Sequence, residues 1–333
     1  MKKFFIAITT VVALLLVFAG CGQKQERADL RKVRVVLDWT PNTNHAGVYV
    51  ARDLGFYKEQ GLDVEIIQPG ENTAEKIVAL GQAEFGFSYQ ESVTIARSQG
   101  VQVKSLAAVI QHNSSGFASL KEADVASPKD FSGKRYGSSG WPSELGILKQ
   151  VMESSKANFD SVEVVHGIAD FFTTIGKNAD FEWIYYGWDG VQARLKGIDI
   201  NFIPVRDIDP IFDFYTPVLI ASDLMVNSEP ELMKKFLAAT SRGYELCIKD
   251  PARGAEVFSK AVPELDRELV KASLDHLSGE FQADAPRWGQ QNPVVWKNFA
   301  DWMLRKGIIT TGVEALAAFT NEFLPDAADP QGQ

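Results

Sequence analysis

Short apolar runs alternate with amphipathic segments from residue 33 to residue 221. The runs are rich in β-branched and aromatic residues, as is typical of buried strands. They occur at residues 33–37, 63–67, 84–88, 103–110, 134–137, 161–165, 181–185, 200–205 and 214–221. Segments with the apolar spacing of helices, such as 71–80 and 92–98, separate most of them. This pattern predicts an α/β protein with parallel sheets covered by helices on both faces.

From residue 228 onward the apolar spacing is helical throughout. Proline and glycine divide this region into segments, because neither residue suits a helix interior. The predicted helices of this C-terminal tail are 230–249, 252–260, 265–277, 293–306 and 313–323.

The strand–helix repeats fall into two series with similar order, joined near residues 115–130 and again near 210–222. We therefore predict two domains crossed twice by the backbone, which makes a hinged cleft. Domain 1 comprises residues 33–117 and 218–325, and domain 2 comprises residues 118–217. One continuous domain is the alternative.

The N-terminus has the organisation of a secretory signal. Lys2 and Lys3 precede an apolar run over 4–18, and two small residues stand before Cys21. This junction resembles a bacterial lipobox, which would make Cys21 the lipidated first residue of the mature chain, with residues 22–32 as a tether. An ordinary signal with an incidental cysteine is the alternative.

The charge balance is acidic. Removing residues 1–21 takes away two of the 34 basic residues, which leaves 32 against 43 acidic ones and a net charge near −11. Such a chain is a poor partner for nucleic acid. Besides Cys21 the chain has only Cys247, so no disulfide framework and no cysteine-based zinc site are expected. We expect no metal and no cofactor, since no metal-spaced cluster or phosphate loop is present.

Four loops at predicted strand ends carry most of the candidate binding chemistry. Aromatic faces, carboxylates and amides suit a flat heterocycle that bears an amino group. None of the loops contains the Arg or Lys that an oxyanion would favour. Their polar and aromatic residues are Asp38, Trp39, Asn42, Asn44 and His45; Ser88, Tyr89 and Glu91; Gly140, Trp141, Ser143 and Glu144; and Tyr185, Tyr186, Trp188 and Asp189.

Within this set, Trp39 and either Trp188 or Tyr186 are the predicted stacking pair. Glu144 and Asp38 are candidate acceptors for an amino group, and each could equally be a helix cap or a hinge-locking carboxylate. His45 could donate to the ligand or be bonded to its own loop. Trp183 alternates with its neighbours along a strand and is expected in the core.

Several segments resemble the solute-binding proteins of ABC transporters in the SsuA/NMT1/THI5-like group. They are residues 54–57 (LGFY), 61–64 (GLDV), 80–86 (LGQAEFG), 227–232 (NSEPEL), 242–244 (RGY) and 250–251 (DP). The resemblance implies a two-domain periplasmic-binding-protein fold of type II. It also implies an extracytoplasmic monomer that delivers a small molecule to a permease and its ATPase.

Within the group, residues 37–51 and 183–190 (WIYYGWDG) resemble ThiY-type proteins. That resemblance implies binding of formylaminopyrimidine, a thiamin-precursor pyrimidine, and no enzymatic activity. Riboflavin, hydroxymethylpyrimidine and alkanesulfonates such as taurine are alternative ligands. A pyrimidine synthase of the THI5 type is a further alternative, but those enzymes carry a cysteine-rich iron motif and no export signal.

Overall fold

Two five-stranded sheets organise the computed structural model, which describes residues 30–168 and 170–326. The signal segment with Cys21, and the tether up to residue 29, lie outside these residues. The strands are β1 (Arg31–Val36), β2 (Leu62–Ile67), β3 (Phe85–Ser88), β4 (Val103–Ala108), β5 (Ser115–Leu120), β6 (Arg135–Ser138), β7 (Glu163–His166), β8 (Phe181–Tyr185), β9 (Ile200–Pro204) and β10 (Val218–Ser222). The first sheet has the order β2-β1-β3-β10-β4 and the second has the order β7-β6-β8-β5-β9.

Fourteen α-helices are found in the described residues. They are α1 (Ala46–Asp53), α2 (Phe56–Glu59), α3 (Ala74–Ala79), α4 (Gln90–Ser98), α5 (Glu144–Ser154), α6 (Phe171–Thr174), α7 (Val191–Leu195), α8 (Val205–Ile208), α9 (Asp223–Ser228), α10 (Pro230–Lys249), α11 (Pro251–Ala261), α12 (Arg267–Leu277), α13 (Pro293–Arg305) and α14 (Ala315–Ala318). A π-helix, Tyr186–Gly190, precedes α7. Within the described part of the chain, no helix combines the length and the apolar character needed to cross a membrane.

The α/β prediction is confirmed, but the sheets are mixed rather than parallel. Strands β1, β2 and β3 pair in parallel, as do β6, β7 and β8. Strand β10 runs antiparallel to β3 and β4, and β5 runs antiparallel to β8 and β9. Strand β5 is the first strand after the first crossing between the sheets, and β10 is the first after the second crossing. Each therefore runs in the opposite direction to the strands next to it in its new sheet.

The crossings lie between β4 and β5 and between β9 and β10. Strand β5 already belongs to the second sheet, so sheet membership changes before Ser115, not after residue 117 as the predicted boundary has it. Asp213 ties the two crossings together. Its carboxylate accepts a hydrogen bond from the backbone N–H of Asn113 at 2.9 Å and lies 2.7 Å from Nδ1 of His112.

The tether is also shorter than predicted, because Arg31 and Lys32 already pair with β2 in the sheet. The helical tail is present, yet it covers both units: Trp296 of α13 packs in the first-sheet core, whereas Phe299, Trp302 and Met303 pack in the second. The helix predicted at 313–323 is wrong. Only α14 forms, since Phe319 is extended and bridges to Ser105 of β4.

Helix α10 packs closely on α1, which follows the first candidate loop. Gly243 of α10 faces Gly47 of α1 so closely that a Cβ on Gly243 would lie 2.0 Å from the carbonyl oxygen of Gly47. The next residue, Tyr244, donates its hydroxyl to the carbonyl of Asn44 at 2.7 Å. The contact between α1 and α10 therefore also positions the first candidate loop.

Gly243→Ala is expected to lower the free energy of unfolding by about 1–3 kcal/mol, because the added methyl group cannot be accommodated without separating the helices. Urea denaturation checks this value. Gly279→Ala is the control, since a Cβ there would meet no atom within 4 Å. Equal effects of the two substitutions would contradict the close-approach explanation.

Candidate functional site

The first candidate loop, residues 38–45, is held by its own side chains. The backbone N–H of Asn42 donates to Nδ1 of His45 at 3.1 Å, so Nε2 carries the ring hydrogen and donates to Asp38 at 2.6 Å. Asn42 likewise accepts from Asn44 N and donates to the carbonyl of Thr40. His45 is fully buried, and both of its nitrogens are used within the loop. Both side chains are thus bonded within their own loop, which is the alternative stated for His45, and the ligand contacts predicted for His45 and Asn42 stay predictions.

Asp38 links this loop to the second candidate loop. Burial would raise the pKa of the Asp38 carboxyl, but the imidazole of His45 and the hydroxyl of Tyr89 outweigh it and hold that pKa below its usual range. The hydroxyl of Tyr89 lies near enough to Asp38 for each group to shift the pKa of the other. Asp38 is therefore an anion in the vicinity of Tyr89.

Aromatic rings from both sheets meet at Tyr89. Its ring lies 6.3 Å from the ring of Trp141 and 6.5 Å from that of Tyr185, with interplanar angles of 29° and 20°. Tyr89 follows β3 of the first sheet, whereas Trp141 and Tyr185 stand at ends of β6 and β8 in the second. We call these three residues the cleft aromatic cluster.

The cleft aromatic cluster brings ring faces from the two sheets together. The centroids of the Tyr89 and Tyr185 rings are 6.5 Å apart and the rings are near-parallel, at 20°. Aromatic faces of this kind are surfaces on which a flat ligand can stack.

Trp183 lies at the edge of this cluster. Its ring packs edge-on against buried Phe117 at 5.1 Å and against Trp141 at 6.1 Å. The core contact with Phe117 agrees with the expectation for Trp183. Its indole nitrogen is buried without a hydrogen-bond partner in the described residues.

Glu144 is a loop-fixing carboxylate. It is 1% exposed and accepts hydrogen bonds from the Tyr136 and Ser138 hydroxyls and from the backbone N–H groups of Ser139, Gly140 and Trp141. These five donors use its acceptor positions, and none of them is an N–H group of α5, whose N-terminus has no side-chain cap. Glu144 therefore fixes the loop rather than capping the helix, and its predicted contact with a ligand amino group stays a prediction. Its network places the Trp141 ring in the cluster.

Unlike Glu144, Glu91 has a carboxylate oxygen that accepts no hydrogen bond from the described residues. It stands in the first turn of α4, is 6% exposed, and its Oε2 has no hydrogen-bond partner in the described residues. Burial raises the pKa of Glu91 to about 8 against the lowering effect of its own backbone N–H, and the nearby Glu75 adds to the rise. Ser88, predicted to face the ligand, instead donates its hydroxyl to Glu75.

Tyr186 does not belong to the cleft aromatic cluster. Side chains alternate along a strand, so Tyr186 points away from Tyr185. Its ring lies 4.9 Å from Phe202 and 5.3 Å from His276, where it lines a cavity of about 420 Å³. The structure thus places Tyr186 at a different cavity, and its predicted pairing with Trp39 stays a prediction.

The other two predicted stacking residues, Trp39 and Trp188, lie outside the cleft aromatic cluster. Trp39 is 57% exposed. Trp188 is half-buried in the π-helix and takes part in none of the ring–ring contacts found among residues 30–168 and 170–326. Gly140, with φ of +86°, provides the turn that lets the loop wrap Glu144.

Sequence reasoning missed a contact that joins the two units through the helical tail. Ser273 of α12 donates its hydroxyl to the carbonyl of Gly187, and the hydroxyl of Thr43 lies 2.5 Å from Ser273 Oγ. No sequence signal pointed to Ser273, because a lone serine on a helix is unremarkable until its neighbours are known. Tyr185, in contrast, was already among the candidate residues of the sequence, because it stands at the end of a predicted strand.

The chain belongs to the NMT1/THI5-like family, whose model matches residues 42–254. It is 28% identical over 331 residues to a formylaminopyrimidine-binding protein of Halalkalibacterium halodurans, covering 96% of this chain and 99% of that protein. It is 24% identical to the riboflavin-binding protein RibY of Chloroflexus aurantiacus, covering 89% of this chain and 87% of that one.

Two further comparisons bear on activity and fold. A 4-amino-5-hydroxymethyl-2-methylpyrimidine phosphate synthase of Legionella pneumophila is 24% identical, covering 89% of this chain and 93% of the enzyme. The alkanesulfonate-binding protein SsuA of Xanthomonas axonopodis, solved with MOPS, superposes with a TM-score of 0.66 at 13% identity, over 88% of this chain and 99% of that one. The fold is that of periplasmic binding proteins, with two domains as predicted.

Proposed function

We propose that this protein is the extracytoplasmic solute-binding component of an ABC importer, and that it captures a thiamin-precursor pyrimidine, formylaminopyrimidine or a close relative. Closure of the cleft would place the heterocycle against the cleft aromatic cluster. The observation that carries the proposal is the approach of Tyr89 to Trp141 and Tyr185 from opposite sheets. The formylaminopyrimidine-binding relative, similar over almost the whole chain, supports the same ligand.

The charges of the site favour this ligand over a sulfonate. Asp38 is an anion in the vicinity of Tyr89, and no Lys or Arg of the described residues is bonded to its carboxyl. An alkanesulfonate would meet this negative charge without a compensating cation, which is unfavourable at short range. A neutral ring with amino donors would meet acceptors instead.

A thermal-shift and calorimetry panel tests the proposal. Formylaminopyrimidine, hydroxymethylpyrimidine, thiamin, riboflavin and taurine are each added to the purified protein. A ligand at one hundred times its dissociation constant stabilises the folded state by about 2.7 kcal/mol, which is easily measured. We expect formylaminopyrimidine to give the largest shift and taurine none. Preference for riboflavin or taurine would overturn the pyrimidine assignment, and no binding would overturn the proposal as a whole.

We also propose that the protein is not an enzyme. The synthases of the family are expected to use a cysteine-rich iron motif, whereas this chain has Cys21 and Cys247 alone. Cys247 is fully buried, and burial raises the pKa of its thiol to about 12, so it is not a thiolate at neutral pH. Formation of a pyrimidine when the purified protein is incubated with pyridoxal phosphate in the presence of iron would contradict this proposal.

Cys21 is proposed as the site of a lipid anchor that holds the protein at the outer face of the cell membrane, near its permease. Cys21→Ser is expected to release the protein into the periplasm or medium, because the anchor chains supply the membrane affinity. Membrane fractionation of expressing cells measures this. Persistent membrane association of the variant would refute the lipoprotein interpretation, and the unsubstituted chain is the control.

A further inference from the structure

The carboxyl of Glu91 is the least satisfied acidic group near the cleft. Five buried side-chain atoms in the described residues lack a hydrogen-bond partner, and Glu91 Oε2 is the only carboxylate oxygen among them. Folded proteins rarely leave such an atom unpaired, because burial without a partner is costly.

The position of Glu91 relates it to the cleft aromatic cluster. Glu91 stands in the first turn of α4, two residues after Tyr89, so both residues lie at the same end of β3. After the larger effect of burial, the charge of Glu91 also raises the pKa of the Tyr185 and Tyr89 hydroxyls. The buried carboxyl thus lies in the neighbourhood of the cleft aromatic cluster.

We propose that Glu91, as a neutral carboxylic acid, recognises the edge of the ligand ring by accepting a hydrogen bond from an exocyclic amino group and donating one to the adjacent ring nitrogen. This inference rests on the proposed function, since it assigns the polar partner of a heterocycle bound at the cleft aromatic cluster. The structure supplies the buried, unpartnered carboxyl, and the chemistry of the ligand class supplies the matching edge.

The protonation state decides which edge fits. A neutral carboxylic acid offers one donor and one acceptor side by side, whereas a carboxylate is an acceptor only. A 4-aminopyrimidine presents the complementary pair, an amino donor next to a nitrogen acceptor. With its pKa raised to about 8, Glu91 is neutral at pH 7 and loses this complementarity as the pH rises through that value.

Among the groups near Glu91, the hydroxyls of Tyr89 and Tyr185 and the carboxyl of Asp38 titrate outside this pKa range. Glu75 accepts the Ser88 hydroxyl, and Tyr89 and Tyr185 have hydroxyl pKa values raised well above the ordinary one. Asp38, on the far side of Tyr89, has a lowered pKa. A change in affinity near pH 8 would therefore report on Glu91.

Calorimetry with formylaminopyrimidine at pH 6, 7, 8 and 9 tests the inference on three variants. Glu91→Leu should weaken binding roughly 10- to 100-fold at pH 7, the effect of losing two hydrogen bonds. Because it removes an unpaired polar group, it should leave the melting temperature of the free protein unchanged or raised. For the unsubstituted protein the affinity should be constant up to pH 7 and fall above about pH 8, approaching tenfold per pH unit.

Glu91→Gln provides the conservative comparison, because its amide also carries one donor and one acceptor. It should bind more tightly than Glu91→Leu and without the fall above pH 8. Glu182→Gln is the matched control. Glu182 is 2% exposed with a pKa raised by burial to about 7, but it bonds Thr174 on the other face of β8. The fall above pH 8 should persist in that variant.

Three results would overturn the assignment of Glu91 alone. The first is unchanged affinity in Glu91→Leu, and the second is a loss of affinity in that variant accompanied by a lowered melting temperature. The third is an affinity of the unsubstituted protein that increases as the pH rises through 8. Binding of the pyrimidine by the unsubstituted protein would still uphold the proposed function in those cases. If the unsubstituted protein bound no pyrimidine, the proposed function and the role of Glu91 would both fall.

Discussion

Tyr185→Ala and Trp141→Ala are each expected to weaken pyrimidine binding by about 1–3 kcal/mol, the range measured for stacking of a base on an aromatic ring. Their rings reach Tyr89 from the second sheet, at 6.5 and 6.3 Å. An inserted heterocycle would be in contact with both faces of the cleft, so removing either ring removes apolar contact that exists only in the complex. Calorimetry at fixed pH gives the affinities.

Tyr186→Ala is the matched control for Tyr185→Ala. The two tyrosines are neighbours in the chain, but Tyr186 packs against Phe202 and His276 on the other side. The control should bind the ligand as the unsubstituted protein does. Equal losses for Tyr185→Ala and Tyr186→Ala would mean that the cluster does not form the stacking surface.

The same measurement on Trp39→Ala examines the stacking role that the sequence predicts for Trp39. With 57% of its surface exposed, Trp39 can contribute only if it contacts the ligand as the cleft closes. Unchanged affinity would remove Trp39 from the binding site and leave the cleft aromatic cluster as the stacking surface.

Glu144→Leu is expected to lower the free energy of unfolding by about 3–5 kcal/mol. Leucine fills most of the volume but leaves five donors without their acceptor, three of them backbone N–H groups in residues 139–141. Each buried donor left unpaired costs about 1–3 kcal/mol, reduced where the loop can turn toward water. Urea denaturation measures the loss, and ligand affinity should fall with it because the loop positions Trp141.

Two substitutions frame this result. Glu144→Gln keeps one acceptor oxygen, so its loss should lie between that of leucine and zero. Glu153 lies on α5, like Glu144, and forms an exposed ion pair with Lys306, which follows α13. Glu153→Gln removes this ion pair and should change stability by less than about 1 kcal/mol. If Glu144→Leu were as mild as Glu153→Gln, the hydrogen-bond network would not be what holds the loop.

The strand that sequence reasoning missed, β5, shows where apolar patterning fails. Its residues, SGFASL, are mostly small, and a Cβ at Gly116 would lie 2.3 Å from the carbonyl oxygen of Ile203 in β9. The close approach of β9 demands small residues, and small residues carry no strand signal. The second sheet is mixed because of this strand and the first because of β10, since each is the first strand after a crossing and runs in the opposite direction in its new sheet.

The sequence by itself determined the strand–helix order, the tail helix 230–249 and the loops that hold the binding chemistry, because these depend on local periodicity and turn residues. Which side chains of those loops are hydrogen-bonded within the protein, and which are left unpaired, depended on tertiary structure. Glu144, Asp38 and Glu91 are alike as isolated carboxyls, yet one meets five donors, one pairs with His45, and one has an unpartnered oxygen. Which acid is structural is set by the donors that folding brings within reach. For Glu144 and Asp38 those donors lie within eight residues in the chain, and only the folded loop directs them at the carboxyl, which apolar periodicity does not report.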